Sequence, residues 1–91
     1  MNIEARINQL RRFILVHSII YYRFNNNLIS DDEWDRKAVE LYNLQSKYPE
    51  IAKHCVYADE FEDFDYSTGE NLPMEDPWAV GKAEQLLAWF G

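Results

Sequence analysis

Residues 17–36 read HSIIYYRFNNNLISDDEWDR, from His17 to Arg36, and this stretch decides the fold. It holds the end of one helix, a polar turn and the start of another. Asn25, Asn26 and Asn27 form the turn. Asparagine tolerates the left-handed backbone of a helix C-terminus, and its side chain competes for backbone hydrogen bonds. Leu28 and Ile29 then lead back toward a core. Ser30-Asp31-Asp32-Glu33 fits a capping box, in which Ser30 accepts from the amide three residues on and Glu33 reaches back. Ile29 and Trp34 occupy the two positions of a hydrophobic staple. Asp31 and Asp32 fall in the first turn, where the helix dipole favours anions.

Working outward, residues 3–24 carry apolar or aromatic groups at steps of three and four: Ile3, Ile7, Leu10, Ile14, His17, Tyr21 and Phe24. Phe13, Val16 and Ile20 widen that stripe, which predicts one long amphipathic helix. Arg6, Arg11, Arg12 and Arg23 are left for the solvent side or for partners. The second helix, with Trp34, Ala38, Leu41, Leu44 and Tyr48 on its stripe, is expected to run to about Lys47 and to pack antiparallel on the first. Pro49 stops it and suits the first turn of another, so residues 50–57 are expected to add about two helical turns. Residues 58–76 change composition and read as an acidic loop punctuated by Gly69, Asn71 and Pro73. Asp76-Pro77 opens a last helix over 77–90 as N-cap and N1. Val80, Ala83, Leu87 and Phe90 mark its face, broadened by Leu86 and Trp89. The expectation is a single all-α domain over 1–91: an antiparallel helix pair, one or two shorter helices and an acidic loop.

Composition narrows what such a domain can do. No apolar run approaches the ~20 residues that span a bilayer. Charged residues interrupt the N-terminus where a signal peptide would be apolar. Cys55 is the only cysteine, so no intrachain disulfide can form, and a reducing cytoplasm is the expected setting. Net charge is −7 and uneven: residues 1–48 have seven Lys/Arg against six Asp/Glu (+1), residues 49–91 two against ten (−8). Five carboxylates lie between Asp59 and Asp65 (Asp59, Glu60, Glu62, Asp63, Asp65), with Phe61 and Phe64 among them. A half this acidic does not grip a nucleic-acid backbone. It serves as a solvated, solubilising face or as an interaction surface for a basic partner, with Phe61 and Phe64 as aromatic contacts. The same phenylalanines are also expected to pin the loop onto the helices.

The segment LRRFILVHSIIYYRFNNNLISDDEWDRKAVELYNLQSKYPEI resembles the N-terminal Ia domain of bacterial NAD-dependent DNA ligases, a likeness that covers about residues 9–51. The likeness rests on His17, on Tyr21-Tyr22, on Ile29-Ser30-Asp31-Asp32-Glu33-Trp34-Asp35-Arg36, and on Tyr48-Pro49-Glu50-Ile51. In those ligases the module covers the nicotinamide mononucleotide (NMN) half of NAD. The resemblance implies Tyr21, Tyr22, Asp31, Trp34 and Asp35 as the binding set. That chemistry is coherent, because nicotinamide in NAD is a flat cation that electron-rich rings attract. Asp31 and Asp35 share a helix face and can accept from ribose hydroxyls. Trp34 stands where the family usually has Tyr, and Tyr22 where it often has His. No Lys-x-Asp-Gly nucleophile motif exists among these residues, so ligation by them alone is excluded.

Tyr22 falls off the core stripe and suits a contact role, whereas the other four residues of the set also have plainer roles. Tyr21 fits the core stripe, Trp34 the staple, and Asp31 and Asp35 the helix N-terminus. His17, on the apolar face, is expected to be a buried, hydrogen-bonded histidine. His54 and Cys55 are neighbours that point apart on a helix, and the spacings of His, Cys and acids suit neither zinc nor calcium. The resulting expectation is a non-enzymatic acidic binding protein, requiring no cofactor, with weak NMN or NAD binding open to it. Half a pocket binds small molecules poorly. The reading therefore leans to a protein partner, a basic surface or an adenylation domain, as for a phage or mobile-element inhibitor or a ligase-associated factor. The alternative is a stand-alone NMN/NAD-binding module. A homodimer is open to short helices with exposed faces.

Overall fold

The described residues form four helices: α1 (Ile3–Tyr22), α2 (Asp31–Lys47), α3 (Pro49–Ala52) and α4 (Pro77–Phe90). The computed structural model describes residues 2–90, so Met1 and Gly91 of the expected domain lie outside it. Among the described residues there is no strand.

Helix α1 packs against α2 on one side and α4 on the other, and those two do not touch. A helix clasped on two sides must be apolar over more than one stripe. Accordingly Leu15 and Ile19 are fully buried beside Ile7, Leu10 and Ile14. Tyr21 goes the other way. Sequence spacing puts it on the stripe, but the residue is 54% exposed, because it lines an open cleft instead of the core. Helix α2 runs antiparallel to α1: Arg6 meets Glu40, and further along Lys37 lies over Phe13. Ser30 caps α2 as expected, accepting from the Glu33 amide at 3.1 Å. Asn25 takes the left-handed conformation (φ 51°) that turns the chain between the helices.

Arg11 corrects the expectation of a solvent-facing arginine, since it is 2% exposed. Its guanidinium donates to the carbonyls of Ala52 and Val56 at 2.9 Å each, and to Gln45 Oε1 at 2.8 Å. It also lies 5.8 Å from the centre of the Phe61 ring. Burial lowers its pKa, yet an arginine stays charged. These bonds explain why the third helix stops at Ala52 rather than running through residue 57. The Ala52 and Val56 carbonyls are engaged by Arg11, and the Val56 amide donates to Asn8 Oδ1 at 2.9 Å. The polar side of α1 thus takes up backbone groups that a longer helix would have used itself.

Beyond α3 the chain continues in turns. Phe61 (0% exposed), Phe64 (8%) and Leu72 (7%) insert into the core. The expected pinning of the acidic loop is therefore real. The two phenylalanines are consumed by it, which corrects their assignment as contacts for a partner: a side chain sealed in the core has no surface left to offer. Asp59, Glu60, Glu62, Asp63 and Asp65 remain exposed. Asp76 caps α4, accepting from the Ala79 amide at 3.0 Å and from the Tyr57 hydroxyl at 2.7 Å. The packed face of α4 is Ala79, Val80, Ala83, Leu86 and Leu87. Ala79 was not on the expected face, and Phe90, which was, is 72% exposed because packing ends at Leu87.

Candidate functional site

Where α1 ends and α2 begins, the two helices diverge around a cleft of about 280 Å3. Helix spacing builds two of its walls. Ser18, Tyr21 and Tyr22 lie one, four and five residues beyond His17, so all four share a face of α1. Asp31, Trp34 and Asp35, at three and four residues, do the same on α2. The Asn27–Ser30 connection joins the two walls. All five residues of the implied binding set, Tyr21, Tyr22, Asp31, Trp34 and Asp35, therefore meet around one space.

A further wall comes from the other half of the chain. Ser67 and Thr68 line the cleft, and Tyr22 and Thr68 share a hydrogen bond through their hydroxyls at 2.9 Å. Side chains shape this strap. Asp65 Oδ1 accepts from both the amide and the hydroxyl of Ser67, and Thr68 Oγ1 accepts from the Glu70 amide. These are Asx- and ST-turn bonds of the kind that hold irregular backbone without a helix or sheet. Gly69 lets the strap settle. A Cβ there would fall 2.2 Å from Ser18 Oγ and 3.4 Å from Trp34 Cζ2, so the position requires the absence of a side chain. Sequence reasoning missed Ser67 and Thr68. The Asp65-Tyr66-Ser67-Thr68-Gly69 run did signal a turn, but nothing local signalled which helices it would meet.

The cleft is aromatic and acidic. Tyr21 and Tyr22 stand edge to face with centroids 4.8 Å apart. Trp34 is half-buried and meets the buried Phe64 edge-on at 6.4 Å, so one face of its environment is core and the other is cleft. Asp31 and Asp35 are exposed at the rim. His17 corrects the expectation of a satisfied histidine: its Nδ1 is buried without a hydrogen-bond partner, and the ring rests against Phe13 at 4.4 Å. Burial, opposed by the charge of Glu33, lowers the imidazole pKa, so the ring is neutral at pH 7. Ser18 Oγ, in a side chain only 1% exposed, is also without a partner.

Cys55 is buried, its thiol donating to the Ile51 carbonyl at 3.3 Å, and burial raises its pKa, whereas His54 is exposed. Among the described residues no cluster of His, Cys, Asp and Glu is gathered for a metal, and no helix is long and apolar enough to cross a membrane.

The family described as DNA ligase-like, N-terminal NAD+-binding domain matches residues 1–54, and the chain belongs to that family. The DNA ligase of Pseudothermotoga lettingae is 44% identical over 50 residues, which are 55% of this chain and 7% of the ligase. The DNA ligase of Clostridium kluyveri is 42% identical over 50 residues, 55% of this chain and 8% of the ligase. The DNA ligase of Endomicrobium trichonymphae is 33% identical over 76 residues, 84% of this chain and 11% of the ligase, an alignment long enough to run past residue 54. The chain thus spans only about a tenth, or less, of the length of these relatives. No solved structure matches it.

Proposed function

We propose that the cleft between α1 and α2 binds the nicotinamide-ribose half of NMN or NAD, and that the chain acts by binding rather than by catalysis. The observation that carries this reading is the convergence of Tyr21, Tyr22, Asp31, Trp34 and Asp35 on one space, with Ser67 and Thr68 added from the strap. Flat aromatic faces suit a pyridinium ring, and rim carboxylates suit ribose hydroxyls. The strap answers the objection that an isolated helix pair offers half a pocket. Its volume lies at the low end of small-molecule sites, which fits weak binding of part of a dinucleotide. The test is an NMR titration of labelled protein with NMN and then NAD, following the Trp34 indole and the amides of Tyr22, Thr68, Asp31 and Asp35. Saturable shifts confined to that set, and lost in Asp35→Ala, are expected. No shift at millimolar ligand would overturn the reading.

A second reading, a protein partner, draws on a different observation. Five carboxylates from Asp59 to Asp65 face solvent, and Trp78, Trp89 and Phe90 are exposed on α4. Here the expected outcome is a salt-sensitive complex with a basic protein or with a ligase adenylation domain. Gel filtration of the mixture at low and high salt measures it, and co-elution that is indifferent to salt, or absent, counts against it.

A further inference from the structure

We infer that the cleft selects a glycosylated pyridinium cation by charge and does not read its phosphate, so that nicotinamide riboside, without the phosphate, is a better ligand than the mononucleotide. This rests on the proposal that the cleft binds the nicotinamide-ribose half of NMN or NAD, and narrows it. The formally charged side chains lining the cleft are Asp31 and Asp35. No lysine or arginine joins them. Arg23, at the end of α1, instead donates to the Met74 carbonyl at 2.9 Å. The remaining ionisable base, His17, is neutral for the reason given above.

Charge then decides between ligands that share a ring and a ribose. The riboside is a cation. It gains from both carboxylates and from the faces of Tyr21, Tyr22 and Trp34. The mononucleotide has the same ring but is a net anion. Its phosphate finds no cationic partner within the cleft and lies in the field of a chain with net charge −7. A phosphate tolerated here points outward to solvent.

The experiment titrates the full chain with nicotinamide riboside, NMN, nicotinic acid riboside and adenosine monophosphate, by calorimetry with NMR shifts as a second readout. It is run at low salt and again at about 1 M salt, where the Debye length is roughly 3 Å. At low salt the riboside is expected to bind about fivefold more tightly than NMN, with the gap closing at high salt. Nicotinic acid riboside, which adds a carboxylate, falls below the nicotinamide form. Asp31→Asn and Asp35→Asn each weaken the riboside about threefold and weaken NMN less, because the lost attraction to the shared ring is offset by relief of repulsion from its phosphate. Circular dichroism confirms that these exposed positions leave the fold intact. NMN binding as tightly as the riboside at low salt would overturn this inference while leaving the binding proposal standing. Adenosine monophosphate binding as well as the riboside would overturn it too. Silence with every pyridinium ligand removes both.

Discussion

Helices α1 and α2 and the irregular segment 53–76 bury apolar side chains in the same core, yet they hold their backbones in different ways. The helix pair satisfies its amides internally and spends side chains on packing. The segment 53–76 contains no helix, so its polar backbone is satisfied piecemeal: by Arg11 and Asn8 from α1, by its own Asp65 and Thr68 side chains, and by isolated turn bonds such as Phe61 N–H to the Tyr57 carbonyl. It still contributes the largest fully buried side chain, Phe61. Irregular backbone here is not a dispensable surface. It is a structural partner of α1, and through Ser67 and Thr68 it completes the cleft that the helix pair opens.

That comparison can be broken by mutation. If the segment is core, Phe61→Ala should lower stability by about 4 kcal/mol, as much as Leu41→Ala from α2. Urea denaturation measures both, and a loss under about 1 kcal/mol for Phe61→Ala would return the segment to the role of a solvated loop. Next in size is Arg11→Ala. It strips two carbonyls of their partner in the junction between α3 and the turns, with an expected loss of about 3 kcal/mol. Amide exchange should rise through residues 52–57 before it rises in α2.

Gly69→Ala sharpens the comparison at the cleft. The new methyl must displace the strap or Ser18, with an expected loss of about 2 kcal/mol. Ser18→Ala should recover part of it, because it removes the nearest obstructing atom; strict additivity of the two changes would show that they do not meet. Tyr57→Phe removes the hydrogen bond to Asp76 and should lose about 1 kcal/mol. Burial, then that bond, raises the Tyr57 phenol from 10.0 to about 12. A raised folded-state pKa gives stability that is full below pH 10 and declines as pH climbs toward 12. Alkaline unfolding curves of wild type and Tyr57→Phe should therefore converge across that window. The smallest effect belongs to the helix pair's own ion pair. Glu40→Gln should cost about 0.5 kcal/mol, since Arg6 and Glu40 are partly exposed. Its hydrogen bond to Arg6 holds the Glu40 carboxyl below its usual pKa, so this term is present at neutral pH and disappears on acidification. A wild-type advantage that persisted under acid would assign it to packing instead.

Much of the helix pair was legible in the residues. Ser30 as cap, the asparagine turn, and Ala38 and Leu41 as core follow from rules that act within a few residues. The five cleft residues were legible only through likeness to a family, because periodicity alone assigned Tyr21 to the core. The errors have one origin. Arg11, Phe61 and Phe64 were judged by residue type and local spacing, and each was decided by a neighbour distant in sequence: the Ala52 and Val56 carbonyls for Arg11, Arg11 itself for Phe61, and Trp34 for Phe64.

By itself, then, the sequence determined where α1, α2 and α4 start and stop to within about two residues, since caps, prolines and apolar spacing act through hydrogen bonds a turn or so long. Only the tertiary structure decided that Arg11 reaches Ala52, 41 residues away, and that Tyr22 meets Thr68, 46 residues away. Such contacts depend on how the chain closes around α1. Loop closure is an entropy of the whole intervening segment, to be offset by burial at its ends, and no window of neighbouring residues encodes it.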